Sequence, residues 1–361
     1  MRVFFSAGEA SGDRYARELG LRLLNSVPTS PEGDHLSFEG MGASGLASLG
    51  ATVHVDSSHF GAIGILEALR VVPRALACYY KVKRKLGHGT PGLFIPIDFG
   101  YMNIKLARHA KNRGWKVLYF IPPGSWRRTK QGADLPHVTD AIITPFSWSA
   151  EILNAMGAKA HWFGHPLKEL VGHGDEPRGE GIAVLPGSRM HEIENNLPVI
   201  AEALKSWSGP IEFAVSPNVD PQTLQAMWTG PKATFTPNDT YAVLRRGKAA
   251  IVCSGTATLE AALCGCPMVV IYRGSKAMEI EYKIRKPKFT YVSMPNILLD
   301  RKVLTELIQW DATPERIWSE LEPLTRDSDE RWTMLDAYQE LEQTLGGDQA
   351  LTESARFIAS M

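Results

Sequence analysis

The chain of 361 residues is long enough for two α/β domains, and its 44% hydrophobic content is ordinary for a protein with a sizeable core. Its 39 basic and 39 acidic residues give a formal net charge of zero, which offers no support for a nucleic-acid partner, and none is expected. No apolar stretch is long enough to cross a bilayer, and residues 1–5 lead straight into small polar residues, so no signal peptide is expected.

A strand is predicted at residues 2–6, followed by a glycine-rich turn and a helix from about residue 14 to residue 24. The glycines of the turn let the backbone approach a ligand closely. The acidic side chains of Glu9 and Asp13 make a phosphate less suitable here than a sugar hydroxyl or a catalytic contact. Residues 38–45 are predicted to form another turn of small residues.

The most amphipathic stretch is residues 63–86, in which basic residues interleave with apolar and aromatic ones and only Glu67 is acidic. Pro73 is expected to divide this stretch into two helices. Two interpretations stay open: a surface that contacts anionic lipid, or a core-packed helix whose basic face is solvated. The basic residues are Arg70, Arg74, Lys81, Lys83, Arg84 and Lys85.

A buried strand is predicted at residues 93–97, and it ends in Asp98. In an open parallel sheet the carboxyl ends of the strands face the ligand crevice. A carboxylate there is well placed to act as a general base. The alternative is that Asp98 caps the helix that follows.

The clearest linker is residues 172–181, which are rich in glycine and charge and show no periodicity. Strand–turn–helix units occur on both sides of it, so the fold class is α/β, with two Rossmann-like domains facing a cleft. We predict domains at 1–171 and 182–330, with helices at 331–361 that pack back on the first domain. Further strands are predicted at 116–121, 141–144, 160–163, 182–185, 211–216, 249–253 and 268–272.

A turn in the second half has the composition of an anion site. Residues 249–253 form a buried strand that leads through Ser254, Gly255 and Thr256 into a helix. The unpaired N–H groups and the dipole of a helix N-terminus favour a phosphate. Glu260 in the first helical turn suits ribose hydroxyls, so the stretch fits a nucleoside diphosphate. An ordinary strand-to-helix turn is the alternative.

Three other sets of polar residues bear on metal or anion binding. Arg189 follows a similar turn, and its fork of donors suits a phosphate. Asp327 and Asp329 match the D-x-D pattern of metal sites. They lie among polar helices predicted from about residue 313 to 360, so we interpret them as a helix cap and solvated surface.

The cysteines lie in apolar surroundings without the spacing of zinc ligands, which favours buried thiols in a reducing cytosol. They are Cys78, Cys253, Cys264 and Cys266.

Several blocks resemble the lipid-A-disaccharide synthase family, in family order from residue 3 to about residue 310. Each block alone is weak, but the joint match is specific. The blocks are 6–13 (SAGEASGD), 64–69 (GILEAL), Ile97 and Asp98 with Asn103, 163–166 (FGHP), 185–189 (LPGSR) with Glu192, 254–260 (SGTATLE), 266–273 (CPMVVIYR) and 291–296 (YVSMPN). The resemblance implies a family 19 glycosyltransferase of GT-B architecture with inverting chemistry. It would transfer 2,3-diacylglucosamine from UDP to 2,3-diacylglucosamine 1-phosphate.

The resemblance also implies roles for individual residues. Asp98 falls on the essential aspartate, and Glu9 and Asn103 fall on other active-site positions. Asp98 would remove the proton from the acceptor hydroxyl, while cationic and N–H groups stabilise the departing UDP. No metal or other cofactor is required. The UDP side comprises Ser188, Arg189, Ser254, Gly255, Thr256, Glu260 and Asn296.

Two blocks on the acceptor side depart from the family pattern. The family's Asp-Ala-Pro-Asp-Phe-Asn reads DFGYMN at 98–103, without the second acid. Its Ser-Pro-x-Val-Trp-Ala-Trp reads PPGSWRR at 122–128, without the second tryptophan. A related enzyme that uses a UDP-sugar but a different lipid or sugar acceptor is therefore an alternative. A non-catalytic nucleotide-sugar binding protein is a third hypothesis, against which the retained Asp98 argues.

The expected partners are a UDP-sugar donor and a lipid acceptor. Because a lipid substrate must be lifted partly out of a bilayer, we expect a cytoplasmic protein that contacts the inner face of the cytoplasmic membrane peripherally. A homodimer is left open.

Overall fold

The computed structural model describes residues 1–26, 36–58, 65–129, 131–275 and 290–361, with the backbone alone for residues 65–72. The chain divides into two compact units. The first comprises Met1–Glu169 together with Leu345–Met361, and the second comprises Leu170–Thr344.

The first unit contains a seven-stranded parallel sheet in the order β3-β2-β1-β4-β5-β6-β7. Its strands are β1 (Arg2–Ala7), β2 (Ser37–Gly42), β3 (Thr52–Asp56), β4 (Leu93–Ile97), β5 (Lys116–Phe120), β6 (Ala141–Ile143) and β7 (Ala160–His161). The helices that connect them are α1 (Ala10–Ser26), α2 (Ser44–Ala47), α3 (Ile65–Leu86), α4 (Gly100–Lys111), α5 (Leu135–Val138) and α6 (Ser147–Ala155), and α7 (Pro166–Val171) follows β7.

Parallel sheets are covered by helices on both faces, and the sequence of β4 shows the result. All five residues of β4 are buried, so the strand is an unbroken apolar run without alternation. Phe4 and Phe94 from the sheet pack with Leu106 and Trp115 in one core cluster. Because neighbouring parallel strands end at the same edge, residues that follow β1, β4 and β5 are brought together there.

The stretch predicted as two helices contains one continuous helix, α3, with Pro73 inside it. The prediction of a break at this proline is therefore wrong. Pro73 is exposed, so water can hydrogen-bond to the carbonyl that loses its N–H partner. Residues 63 and 64 lie outside the described part of the chain.

Predicted strands are present along the chain, but four observed ones were not predicted: β2, β3 and, in the second unit, the strands at Thr234–Pro237 and Glu306–Ile308. The prediction of a turn at residues 38–45 is wrong over its first part, because β2 pairs with β1 from Ser37 to Met41. The sequence of β2, SFEGMG, lacks strand propensity. This strand forms because it pairs with the buried strand β1. Such pairing between distant segments cannot be predicted from the local sequence.

The second unit contains a six-stranded parallel sheet in the order β10-β9-β8-β11-β12-β13. Its strands are β8 (Gly181–Leu185), β9 (Ile211–Val215), β10 (Thr234–Pro237), β11 (Gly247–Cys253), β12 (Met268–Tyr272) and β13 (Glu306–Ile308). Its helices include α8 (Met190–Ala203), α9 (Pro221–Met227), α10 (Thr240–Arg246), α11 (Ala257–Leu263), and those at Met294–Leu299, Pro314–Leu321 and Asp329–Thr344. Short 3₁₀ helices lie at Gln309–Asp311 and Glu322–Thr325.

The segment predicted as the linker has no helix or strand from residue 172 to residue 180. Arg178 fixes it to the second unit, because its guanidinium donates to the carbonyl oxygens of Leu244 (2.9 Å), Gly247 (2.8 Å), Cys264 (3.0 Å) and Gly265 (2.8 Å). The glycine-rich segment 172–180 is thus an irregular segment that Arg178 hydrogen-bonds to the second unit.

The last two long helices belong to different units. The helix Asp329–Thr344 lies in the second unit, where Arg331 donates to the carbonyl oxygen of Lys248 at 2.7 Å. The helix Ala350–Ala359 packs on α1, and Glu169 accepts the N–H of Leu351 at 2.6 Å. The chain therefore returns to the first unit at residue 345, later than the boundary of 331 expected from the sequence.

Candidate active site

Asp98 follows β4 in a turn of unusual backbone geometry. Asp98, Phe99 and Gly100 have φ angles of 44°, 54° and 38°, in the left-handed region that aspartate and asparagine tolerate better than most side chains. Tertiary hydrogen bonds hold this turn: the Asp98 N–H donates to the Phe120 carbonyl at 3.2 Å. The Tyr119 hydroxyl donates to the Asp98 carbonyl at 2.8 Å. The strain is thus fixed by contacts with the neighbouring strand β5.

Asn103, predicted to be catalytic, is fully buried and holds the ends of β1 and β4 together. Its side-chain amide lies 2.9 Å from the Ser6 carbonyl oxygen, 3.2 Å from that of Ile97 and 3.1 Å from that of Asp98. The Ser6 hydroxyl donates to the Asn103 Oδ1 at 2.6 Å. These bonds occupy the amide completely, so Asn103 positions the backbone of Asp98.

Glu9 and Asp98 are electrostatically coupled across the strand ends. The pKa of Asp98 is raised to about 6, chiefly because the surrounding protein removes solvation from its carboxylate. The nearby Glu9 carboxylate raises this pKa further, whereas the hydrogen bond from the Phe99 N–H lowers it. The Asp98 side chain is nevertheless open to solvent, so it is accessible to a substrate. A carboxylate with this pKa is mostly ionised at pH 7 and more basic than an ordinary aspartate, which suits a general base.

The turn between β1 and α1 is shaped by the turn after β4. A Cβ atom on Gly8 would lie 2.1 Å from the Phe99 ring, so only glycine fits there. Glu9 is half-buried, and its carbonyl accepts the Asp13 N–H at 2.9 Å as α1 begins. The glycine-rich sequence therefore serves packing between two active-site turns.

Asp13, expected near a sugar or in catalysis, instead holds the segment after β2. It is buried, and its carboxylate accepts the N–H groups of Ala43 (2.6 Å), Gly45 (2.7 Å) and Leu46 (3.0 Å). Such charge-assisted bonds at a helix start contribute about 1 kcal/mol or more to stability. In the structure this carboxylate therefore serves to hold the backbone of residues 43–46.

In the second unit, Ser254, Gly255 and Thr256 connect β11 to α11. Gly255 has a φ of 150°, and a Cβ atom there would meet nothing within 4 Å, so space is open above the turn. Near the start of α11, the N–H groups of Thr258 and Leu259 donate to the carbonyl oxygens of Gly255 at 3.1 Å and Thr256 at 3.0 Å. Beside the turn, the Tyr241 hydroxyl donates to Glu260 Oε1 at 3.0 Å, which orients this half-buried carboxylate.

At the second predicted phosphate turn, an internal carboxylate occupies the N–H groups. Glu192 is buried and accepts from the N–H of Ser188 at 3.0 Å and that of Arg189 at 3.3 Å. It also binds Nη1 of Arg189 at 2.9 Å. Gly187 makes room, because a Cβ there would lie 2.7 Å from the Glu192 Cβ. Glu192 thus binds both Ser188 and Arg189, and its carboxylate occupies the N–H groups for which the sequence suggested a phosphate.

Asn296, predicted on the UDP side, is buried and satisfied by protein partners. Its Nδ2 donates to the Leu304 carbonyl at 3.0 Å and to Glu306 Oε1 at 2.9 Å, while its Oδ1 accepts from Val303 at 2.7 Å. Glu306, which the sequence reasoning missed, also accepts the N–H of Ser293 at 2.8 Å. Asn296 therefore positions the chain beside the 254–256 turn.

Two hydrogen bonds join the segment around Asn296 to the 254–256 turn and α11. The Ser254 hydroxyl donates to the Val292 carbonyl at 3.3 Å, and the Met294 N–H donates to Thr258 Oγ1 at 3.1 Å. Asn196, another residue missed from the sequence, links Pro186 and Arg273 through bonds of 2.8 and 3.0 Å.

The cysteines differ in burial, and Cys78, which was expected to be buried, is only half-buried. Cys253, Cys264 and Cys266 are buried, and burial raises the pKa of Cys264 to about 12 and the pKa of Cys266 to about 11. These thiols are protonated at neutral pH and are therefore poor nucleophiles.

The two units each contain a parallel Rossmann-like sheet, which is the architecture of the GT-B fold. A calicheamicin glycosyltransferase, CalG4, superposes with a TM-score of 0.59 at 14% identity, covering 99% of this chain and 97% of that chain. That likeness concerns the fold.

Sequence comparison identifies the family. The model of lipid-A-disaccharide synthetase matches residues 3–357. The lipid-A-disaccharide synthase of Acidobacterium capsulatum is 32% identical over 99% of this chain and 96% of its own length. That of Koribacter versatilis is 29% identical over 100% of this chain and 98% of its own. The chain belongs to the lipid-A-disaccharide synthase family.

The raised pKa of Asp98 predicts a pH-dependent gain in stability for Asp98→Asn. A carboxyl whose folded pKa lies above its unfolded value stabilises the fold at low pH, and that contribution is lost as the pH rises through about 6. Asparagine tolerates the left-handed backbone and removes the charge. Thermal melts should show a variant more stable than wild type at pH 8, with the difference vanishing near pH 4. A variant less stable at pH 8 contradicts this electrostatic account.

Proposed function

We propose that the protein transfers 2,3-diacylglucosamine from its UDP donor to 2,3-diacylglucosamine 1-phosphate, with inversion and release of UDP. Family membership over nearly the whole chain supports this reaction. The observation that carries the chemistry is Asp98, an accessible carboxylate whose pKa of about 6 suits a general base. Chromatographic detection of the disaccharide, together with UDP release, tests the proposal.

In this mechanism Asp98 accepts the proton of the acceptor hydroxyl as its oxygen attacks the anomeric carbon of the donor. The bond from that carbon to the UDP oxygen breaks, and the configuration inverts. Asn103 and Tyr119 keep the Asp98 backbone in place through the bonds at its carbonyl. Asp98 thereby meets the acceptor with little reorganisation.

Donor binding is assigned to the second unit. Gly255 leaves room for a phosphate against the start of α11, and Glu260 accepts hydrogen bonds from ribose. Arg189 contributes positive charge to the departing UDP, with Glu192 fixing its side chain. Ser188 contributes through the same turn, whereas Asn296 acts by positioning.

A related activity with another lipid or sugar acceptor is the second candidate. It is favoured by Tyr101, which stands where the family has its second acid and is 74% exposed. UDP release against a panel of lipid and sugar acceptors separates the two. UDP binding without turnover on any acceptor would instead indicate a non-catalytic nucleotide-sugar binding protein.

Peripheral contact with the inner face of the cytoplasmic membrane is also proposed. In the described part of the chain, no helix has the length and apolarity needed to cross a bilayer. In α3, Val82 and Leu86 are buried, whereas Leu76 and Tyr80 are 52% and 58% exposed. Exposed apolar side chains among basic ones suit anionic lipid. The homodimer stays a prediction, which sedimentation velocity tests.

For catalysis, Asp98→Asn should lower kcat by about 100-fold or more, the usual contribution of a general base, with UDP affinity nearly unchanged. In the wild type, kcat/KM should fall as the pH drops below about 6, because Asp98 is then protonated. The exposed Glu151→Gln is the matched control in the same unit. Near-normal turnover by Asp98→Asn would remove Asp98 from the role of base.

For the donor site, UDP should raise the melting temperature of the wild type, and Arg189→Ala should remove most of that shift. Loss of the guanidinium removes a charge-assisted contact to phosphate. Arg301→Ala, an exposed arginine of the same unit, serves as control. Equal stabilisation by AMP or NAD would contradict a uridine nucleotide site.

For the membrane, the protein should sediment with vesicles that contain anionic lipid, and salt should weaken binding by screening. Replacing Arg74, Lys81 and Lys85 by glutamate should reduce binding and leave the fold intact. The same change at exposed lysines of the second unit, Lys205, Lys232 and Lys302, should have little effect. Absence of vesicle binding at low salt would instead support a merely solvated basic face.

A further inference from the structure

The loop after β5 presents arginines from a fixed backbone. Trp126, Arg127 and Arg128 are exposed, but Gln131 beneath them is buried. The Gln131 side chain donates to the carbonyl oxygens of Gly124 at 3.2 Å and Arg127 at 2.8 Å. The Arg127 N–H donates to the Gly124 carbonyl at 2.9 Å. The loop is therefore shaped by buried contacts, while its charged side chains extend into solvent.

Each arginine lies against an aromatic ring. The Arg127 guanidinium is 4.9 Å from the Trp126 ring centre, and the Arg128 guanidinium is 4.1 Å from that of Trp148. Trp148 in turn stacks on Phe146, with centroids 4.6 Å apart and planes 7° from parallel. Stacking uses the flat face of a guanidinium group, and its edge carries the N–H donors that suit an oxyanion.

This loop lies at the edge of the sheet that carries the general base. Strands β4 and β5 are parallel neighbours, so Asp98 and the 122–128 loop follow adjacent strand ends. Tyr101 adds a third cation–aromatic pair at this edge, with Lys105 Nζ 4.2 Å from its ring centre. Cationic and aromatic groups therefore lie at the same strand-end edge of the sheet as Asp98.

Planar, bidentate donors distinguish phosphate from a neutral sugar hydroxyl. We infer that Arg127 and Arg128 bind the phosphate group of the acceptor sugar and thereby select a phosphorylated acceptor, an inference that rests on the proposed function. Arg128 stands where the family block has its second tryptophan. That departure replaces an apolar contact by a charged one and keeps the acceptor anionic.

The test compares two acceptors, 2,3-diacylglucosamine with and without its 1-phosphate, in neutral detergent micelles. The variants are Arg127→Gln, Arg128→Gln and the double substitution, with the exposed Arg113→Gln at the opposite edge of the sheet as control. Each single change should lower kcat/KM for the phosphorylated acceptor by about tenfold, chiefly through KM, with kcat and the donor KM unchanged. Rates with the unphosphorylated acceptor should stay at the wild-type level.

An equal loss with both acceptors, or no loss, overturns the inference. A defect seen only on anionic vesicles, and equal for both acceptors, also overturns it and assigns the arginines to membrane contact. If the wild type turns over neither acceptor, the proposed function fails independently. Tryptophan fluorescence titrated with glucosamine 1-phosphate and with glucosamine then decides: phosphate-dependent binding that the double variant loses supports the inference. Equal binding by wild type and double variant rejects it.

Discussion

The first unit depends on one buried amide, that of Asn103. Its hydrogen bonds to carbonyl oxygens at the ends of β1 and β4 close a gap that the ladder leaves open, because parallel strands stop pairing where they diverge into turns. An unpaired carbonyl at this depth would cost free energy comparable to a lost hydrogen bond. The amide therefore fixes three groups at once: the β1 turn with Glu9, the strand β4 and the backbone of Asp98.

Other carboxylates play the corresponding part elsewhere. The buried Asp13 and Glu192 and the half-buried Glu306 each accept two or more backbone N–H groups at the start of a helix or turn. A carboxylate is the strongest acceptor the chain offers for such donors. The first unit thus leaves Asp98 exposed while using Asp13 internally, and the two acids differ in the number of N–H groups that surround them.

Sequence reasoning predicted the fold class and the strands rich in apolar residues, because those patterns are local. It missed β2, whose SFEGMG sequence becomes a strand only beside β1, and it broke α3 at Pro73, whose exposure no local pattern reveals. For the site it predicted Asp98 and the 254–256 turn from their positions at strand ends, and these stay predictions. The family resemblance predicts Asn103 as catalytic and Asn296 as UDP-binding, but it does not show whether a residue contacts the ligand or the backbone. Glu306 and Asn196 carried no pattern, since their partners are distant in sequence.

The two acceptor-side turns differ in how freely their sequences can change. The turn after β4 has three successive left-handed residues and is packed against Gly8, so nearly every substitution there alters the backbone. The loop after β5 takes its shape from Gln131 and carbonyl groups, and its exposed side chains contribute little to that shape. Point mutations can therefore exchange the chemistry displayed by that loop at low cost to folding. Residues 126–128 can therefore vary in charge and size, whereas the turn at Asp98 is constrained by its left-handed backbone.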